Sequence, residues 1–147
     1  MKNNQEIWDG RFLQMASLVA TFSKDPSVGV GAVITNSKNQ IISQGFNGLP
    51  RGAVDDERLH NREWKLKRVL HAEENAVFNA NTDLEGCTIY VTHPCCLHCC
   101  SVVAQAGISR VVFVEPTADF AKRWNPQETV EYLRELNVKV KGYRRVD

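Results

Sequence analysis

Two short segments carry residue types that do chemistry together: His71-Ala72-Glu73 and Cys96-Leu97-His98-Cys99. A Cys-x-x-Cys pair at the start of a helix sets two thiols on neighbouring positions near the positive end of the helix dipole. That setting favours the charged, metal-binding thiolate. One histidine from another helix start completes a three-ligand set. Three protein ligands leave a fourth tetrahedral position for water, which is how catalytic rather than structural zinc is built. Glu73 lies two residues from His71, so on a helix start its carboxylate points to a different side from the imidazole. It can reach a metal-bound water without ligating the metal. Taken singly, each residue has a plainer role: His71 as a satisfied core histidine, Glu73 as a solvated helix carboxylate. Their value comes from their company. A purely structural zinc site needs four ligands, yet the chain has no second Cys-x-x-Cys, and Cys87 is the only distant thiol.

Positioning these residues requires helices that begin near 71 and near 96. The segment His71 to Ala80 has apolar residues at helical spacing, Cys96 to Ala106 reads as a helix, and Gly107 is a good stop. Upstream, residues 6–23 carry Ile7, Phe12, Met15, Leu18, Val19 and Phe22 at spacings of three and four, one apolar helix face ended before Pro26. Val28 to Ile34 and Gln40 to Phe46 read as two strands joined by the polar turn 36–39. Residues 45–52 are too rich in Gly and Pro for regular structure. Residues 55–68 are highly charged and read as a solvated, partly exposed helix. Thr88 to Thr92, Arg110 to Val114 and Val138 to Tyr143 read as strands, and Pro126 to Leu136 as a helix capped by Asn125. Strands alternating with helices after residue 70 imply parallel crossovers. The expected fold is α/β, a mixed five-stranded sheet with helices on both faces. Lys139, Lys141, Arg144 and Arg145 fall on or beside an expected edge strand, where charge discourages unwanted pairing.

The chain has 147 residues, 43% hydrophobic and 24% charged, which is ordinary globular composition for one domain over residues 1–147. Eighteen Lys and Arg against 17 Asp and Glu leave a formal charge of +1, no footprint for sequence-independent binding to nucleic acid or an anionic membrane. No apolar run reaches the length of a membrane span, and the N-terminal residues lack the apolar core of a signal peptide. Four of the five cysteines fall within residues 95–100 and so close no loop as disulfides would. A reducing cytoplasm is the expected setting.

The pattern H-x-E followed by P-C-x-x-C resembles the zinc-dependent cytidine and deoxycytidylate deaminases. The resemblance covers nearly the whole chain. Ser23-Lys24-Asp25-Pro26-Ser27 leading into Val30 to Ile34 looks like the first strand of deoxycytidylate deaminases. Gly45-Phe46-Asn47-Gly48-Leu49-Pro50 looks like their G-Y-N-G-x-P loop, with Phe for the usual Tyr. His71-Ala72-Glu73-Glu74-Asn75-Ala76 looks like H-A-E-x-N-A, and Gln105 to Ile108 like the close of their second zinc helix. The overall match is to short phage-type members, with a three-layer α/β/α cytidine-deaminase-like fold. One departure leaves two ligand sets open. The family's Pro directly precedes the first ligand Cys, but here Pro94 precedes Cys95. Either Cys96 and Cys99 are the ligands and the Pro has moved back one place, or Cys95 and His98 are. The first set keeps two thiolates and the family spacing to Gly107, and is preferred. Cys95 and Cys100 are then small buried hydrophobes.

The resemblance implies that His71, Cys96 and Cys99 hold Zn²⁺ and that a zinc-activated hydroxide attacks C4 of the cytosine ring of dCMP. Glu73 moves the protons, and dUMP for dTTP synthesis and ammonia are released. It implies that the backbone at Ala72 meets the pyrimidine edge and Asn47 the sugar. For the 5′-phosphate, Lys24 is the first candidate, with His98 and Arg51 behind it. It further implies activation by dCTP and inhibition by dTTP, bound with Mg²⁺ near Ser23, Lys24, Phe46, Asn47, Gly48 and Arg51, and a homohexamer. Two readings from other classes remain: a zinc deaminase acting on adenosine in tRNA, expected to carry a basic groove, and a non-enzymatic zinc-stabilised interaction domain.

Overall fold

A computed structural model of the chain describes residues 2–118 and 125–144. Helix α1 spans Asn4–Ala20 and is capped by Asn3, whose side chain accepts from the Glu6 amide at 2.9 Å. Strands β1 (Gly31–Thr35) and β2 (Ile41–Phe46) follow. Asn36 closes the turn between them by accepting from the Lys38 and Gln40 amides, and Asn39 takes a left-handed conformation (φ 58°). A 3₁₀ turn (Glu57–His60) and the short helix α2 (Arg62–Leu66) precede helix α3 (Ala72–Asn79). Then come β3 (Thr88–Val91), α4 (Leu97–Gln105), β4 (Arg110–Val114), α5 (Pro126–Glu135) and β5 (Lys139–Tyr143). Asn125 caps α5, with Pro126 at its start. Gly107 ends α4 at φ 90°, a value that favours glycine.

The five strands form one sheet in the order β2-β1-β3-β4-β5. β1 runs antiparallel to both β2 and β3, while β3, β4 and β5 are parallel, joined by crossovers through α4 and α5. This is the expected mixed five-stranded sheet. Strand alternation sorts the core into two layers. Ala32, Ile34, Ile89, Val91 and Val111 pack against α3, α4 and α5. Val33, Tyr90 and Val112 point the other way, toward Phe12, Leu13, Ala16 and Val19 of α1. Helices therefore cover both faces.

Several expectations change in detail. Helix α1 buries Asp9, Phe12, Leu13, Ala16 and Val19. Ile7, Met15, Leu18 and Phe22, expected on the same apolar face, are 40–60% exposed. Both sets have helical spacing, and only packing decides which faces the sheet. Val28 to Val30 lie outside β1: the Val30 amide and the Val28 carbonyl bond the Asn47 side chain, while the Val30 carbonyl accepts from the Asn47 backbone amide just past β2. Residues 55–68 form two short helical pieces rather than one solvated helix, and Leu59 and Lys65 within them are buried. Lys139 and Lys141 lie exposed on edge strand β5, as expected; Arg145 lies outside the described residues.

Candidate metal centre and its cavity

His71 and Cys96 are the N-cap residues of α3 and α4, so both helix starts aim into one space. Helix α3 is fastened to β2 along its length. Asn75 Nδ2 donates to the Phe46 carbonyl (2.7 Å), Asn79 Nδ2 to that of Gln44 (2.9 Å), and Ser43 Oγ to that of Ala76 (2.6 Å). Gly45 lets the helix lie against the strand, since a Cβ there would sit 2.5 Å from the Ala72 carbonyl oxygen. Glu74 Oε1 accepts from the His71 amide at 3.0 Å, fixing the backbone that carries the imidazole. The turn before α4 is held from α5: Thr129 Oγ1 donates to the Cys95 carbonyl at 2.7 Å.

The result is a compact donor set. His71 Nδ1 lies 3.2 Å from Cys99 Sγ and 3.4 Å from Cys96 Sγ, and all three donor atoms fall within 4.8 Å of one another. Zinc bound tetrahedrally at usual lengths separates an N and an S ligand by about 3.6 Å. The donors need to part by only a few tenths of an ångström to take the ion, and two thiols with one imidazole are the chemistry zinc prefers. The thiols are unequal. A hydrogen bond from Cys99, against the opposing effect of burial and with help from His71, holds Cys96 down to about 4. The same contact with Cys96 pushes Cys99 up, as does burial. The hydrogen bond to Cys96 raises His71 to about 9. Cys95 and Cys100 are fully buried and stand outside this set, as does Cys87. His98, of the other ligand set, is 72% exposed at its side chain and stands 3.6 Å from Glu74 Oε2.

A cavity of about 430 Å³ opens onto this centre. His71, Cys96 and Glu73 help line it, and Glu73 is only 4% exposed. Burial raises the Glu73 carboxyl, against the smaller opposing pull of its own backbone amide and of His71. A buried carboxyl that holds its proton more tightly than usual is suited to acid–base work.

Of the substrate residues expected from sequence, Ala72 and Asn47 line the cavity. The Asn47 amide is largely committed: Oδ1 accepts from the Val30 amide (2.8 Å), and Nδ2 donates to the Val28 carbonyl (2.9 Å) and to Asp25 Oδ2 (3.4 Å). Lys24 does not line the cavity. Its ammonium reaches outward to Asp55 (3.1 Å) with 72% of the side chain exposed. His98 faces a separate groove beside α5. Arg51 is exposed on the loop after β2 and does not line the cavity either. Ser23, Phe46, Asn47 and Gly48 do gather around that loop. Ser23 Oγ donates to the Asn47 carbonyl, Phe46 packs edge-on against Phe22, and Gly48 pairs with Leu70.

The cavity wall also holds a pair that sequence reasoning missed. Lys65 Nζ bonds Asp25 Oδ1 (2.9 Å) and Ser27 Oγ (3.1 Å), with both charged side chains about 95% buried. Nothing in the charged run 55–68 distinguishes Lys65 from its exposed neighbours, because its partner lies 40 residues away.

Comparison with known proteins accords with this centre. Residues 6–115 match the family model described as the cytidine and deoxycytidylate deaminase zinc-binding region. An "uncharacterized deaminase in luxG 3′region" of Aliivibrio fischeri is 53% identical over 117 residues, covering 80% of this chain and 79% of that protein. Human deoxycytidylate deaminase is 42% identical over 114 residues, 73% of this chain but only 64% of the human protein. Among solved structures, dCMP deaminase from the cyanophage S-TIM5 in apo form superposes with a TM-score of 0.73 at 26% identity, covering 97% of this chain and 100% of that one. The chain belongs to the zinc-binding cytidine and deoxycytidylate deaminase family.

Proposed function

We propose that this chain deaminates dCMP hydrolytically to dUMP and ammonia. The observation that carries the reading is that buried Glu73 lines one cavity with His71 and Cys96 of the His71, Cys96 and Cys99 donor set, a cavity within the usual size range for small ligands. The named deoxycytidylate deaminases among its relatives supply the substrate. When bound by His71, Cys96 and Cys99, zinc contributes Lewis-acid chemistry that makes hydroxide available near neutral pH. Glu73 takes a proton from the attacking water, delivers it to ring N3, and passes a proton to the departing amine. The bond from C4 to the exocyclic nitrogen breaks as the new C4–O bond becomes the uracil carbonyl. The Ala72 backbone meets the pyrimidine edge, and Asn47 Oδ1 keeps one lone pair for a sugar hydroxyl.

The fuller reading treats residues 1–147 as one deaminase domain, working as a cytoplasmic homohexamer in a bacterial or phage-infected cell. dCTP activates it and dTTP inhibits it, each with Mg²⁺ at the loop of Ser23, Lys24, Phe46, Asn47, Gly48 and Arg51. That part is supported by resemblance and by the clustering of Ser23, Phe46, Asn47 and Gly48.

The test is to quantify zinc per chain and follow loss of cytosine absorbance. The substrates are dCMP, dCTP, deoxycytidine and a cytosine-containing oligonucleotide, each with and without dCTP or dTTP plus Mg²⁺. About one zinc per chain and fastest turnover of dCMP are expected. Zinc-loaded protein that leaves dCMP untouched overturns the assignment and makes an adenosine-containing RNA the next substrate to try.

A further inference from the structure

Among the described residues, the cavity lined by Glu73, His71 and Cys96 has two further cationic side chains on its wall, Arg62 and Lys65. They are not equivalent. Lys65 is 4% exposed and spends its ammonium on Asp25 and Ser27. Two of its three N–H donors are taken, and its charge already answers that of Asp25. Arg62 stands at the first position of α2, is exposed, and has no hydrogen-bond or ion-pair partner for its guanidinium among the described residues. Lys24, the cation that sequence placed nearest the site, is turned outward to Asp55. On the same wall stands one further acid, Glu128, whose Oε2 accepts from Asn125 Nδ2 at 3.3 Å.

We propose that Arg62 binds the 5′-phosphate of the substrate and thereby selects a nucleoside monophosphate over the nucleoside and the triphosphate. This rests on the dCMP reading above and adds the residue that reads its phosphate. The argument is one of elimination within a single cavity. A cytosine placed against Glu73 and the metal donors directs the rest of the nucleotide along the cavity. Along it, among the described residues, the one cation without an ion-pair partner is Arg62. Its planar guanidinium presents two parallel N–H groups that match two oxygens of one phosphate. A triphosphate brings more negative charge than one guanidinium can answer and sets it in the same cavity as Glu128. Among the described lining residues, one unpaired cation near Glu128 suits a single phosphate. Arg62 is exposed and has no bonding partner among the described residues, so its replacement should leave the fold and the metal donors untouched.

The experiment compares kcat/KM for dCMP, dCTP and deoxycytidine in the zinc-loaded wild type, Arg62→Ala and Arg62→Lys. Losing a charge-assisted contact to phosphate lowers kcat/KM for dCMP by roughly 10- to 100-fold in Arg62→Ala. Deoxycytidine, which has no phosphate, changes by less than about twofold, because nothing it touches has moved. Arg62→Lys keeps the charge but loses the paired geometry, and falls between. A wild type that prefers dCMP, with Arg62→Ala keeping that preference, overturns the role of Arg62 alone. Equal losses on dCMP and deoxycytidine overturn it too, since they mark a structural effect. A wild type that turns over deoxycytidine as well as dCMP overturns both the nucleotide reading and the phosphate contact.

Discussion

At the scale of single residues, the site separates groups that hold from groups that move protons. His71, Cys96 and Cys99 lie within bonding reach of one ion, whereas Glu73 shares their cavity but not their donor set. Replacing Glu73 with Gln keeps its size and most of its hydrogen bonding but removes its capacity to accept a proton. Glu73→Gln should retain about one zinc per chain and lose roughly 10²- to 10⁴-fold in kcat, the usual worth of a positioned acid–base group. Zinc analysis beside a dCMP assay checks both halves, and a variant that keeps full activity would remove Glu73 from the mechanism. The crowded cysteines give a second test. Cys96→Ser and Cys99→Ser should lose zinc to a chelator that the wild type resists. Cys95→Ser, His98→Ala and Cys100→Ser should keep it, because those side chains lie outside the donor set. If instead Cys95→Ser and His98→Ala shed the metal, the other pairing of ligands is correct.

At the scale of elements, the donors meet because two helix starts are pinned from below. What was legible here is local: residues at helix N-caps and one turn in are placed by spacing alone, so H-x-E and C-x-x-C announce the metal centre. The face of α1 was not legible. Phe12 and Val19 share helical spacing with Leu18 and Phe22, yet only the first two are buried. Lys65 was lost for a related reason: its meaning depends on Asp25, which only the folded chain brings near. The contact of α3 with β2 gives the prediction at this scale. Gly45→Ala forces a Cβ against the Ala72 carbonyl at the very turn that carries His71 and Glu73. Overpacking of this kind costs about 1–3 kcal/mol. It should also weaken zinc retention, since the start of α3 must shift. Gly10→Ala, in the middle of α1 with open space around it, should instead stabilise by about 0.5–1 kcal/mol. Urea titrations of the two variants, with chelator competition for zinc, separate a strained helix–strand contact from a general intolerance of alanine.

At the scale of the whole molecule, the face of the sheet opposite the metal centre is organised around a buried charge. Asp9 of α1 is fully buried and accepts from Tyr90 on β3, from both Arg110 nitrogens on β4, from Tyr143 on β5 and from Gln5 one turn earlier. One carboxylate thus ties the first helix to the three parallel strands, across separations of up to 134 residues. No sequence pattern marks it; an Asp on an apolar helix face reads as a solvated residue until its partners are folded around it. Burial alone would raise its carboxyl, but the hydrogen bonds from Arg110, Tyr143 and Tyr90 outweigh that and leave it below its ordinary value of 3.8. Folding therefore binds the ionised form more strongly than the unfolded chain does. The stabilisation is complete above the unfolded value and is lost as pH falls below it, through the lowered folded value. Asp9→Asn removes the charge and strands Arg110 against a neutral amide, which should cost on the order of 3 kcal/mol at pH 7. The difference in unfolding free energy between wild type and Asp9→Asn should be flat from pH 8 to about pH 5 and shrink steeply below about pH 4. Acid also strips the metal, but it does so from both proteins, so the difference isolates Asp9. Urea unfolding of the pair across that range is the measurement. A difference that stays constant into acid would mean that the cluster holds the fold by shape and hydrogen bonding rather than by the charge of Asp9.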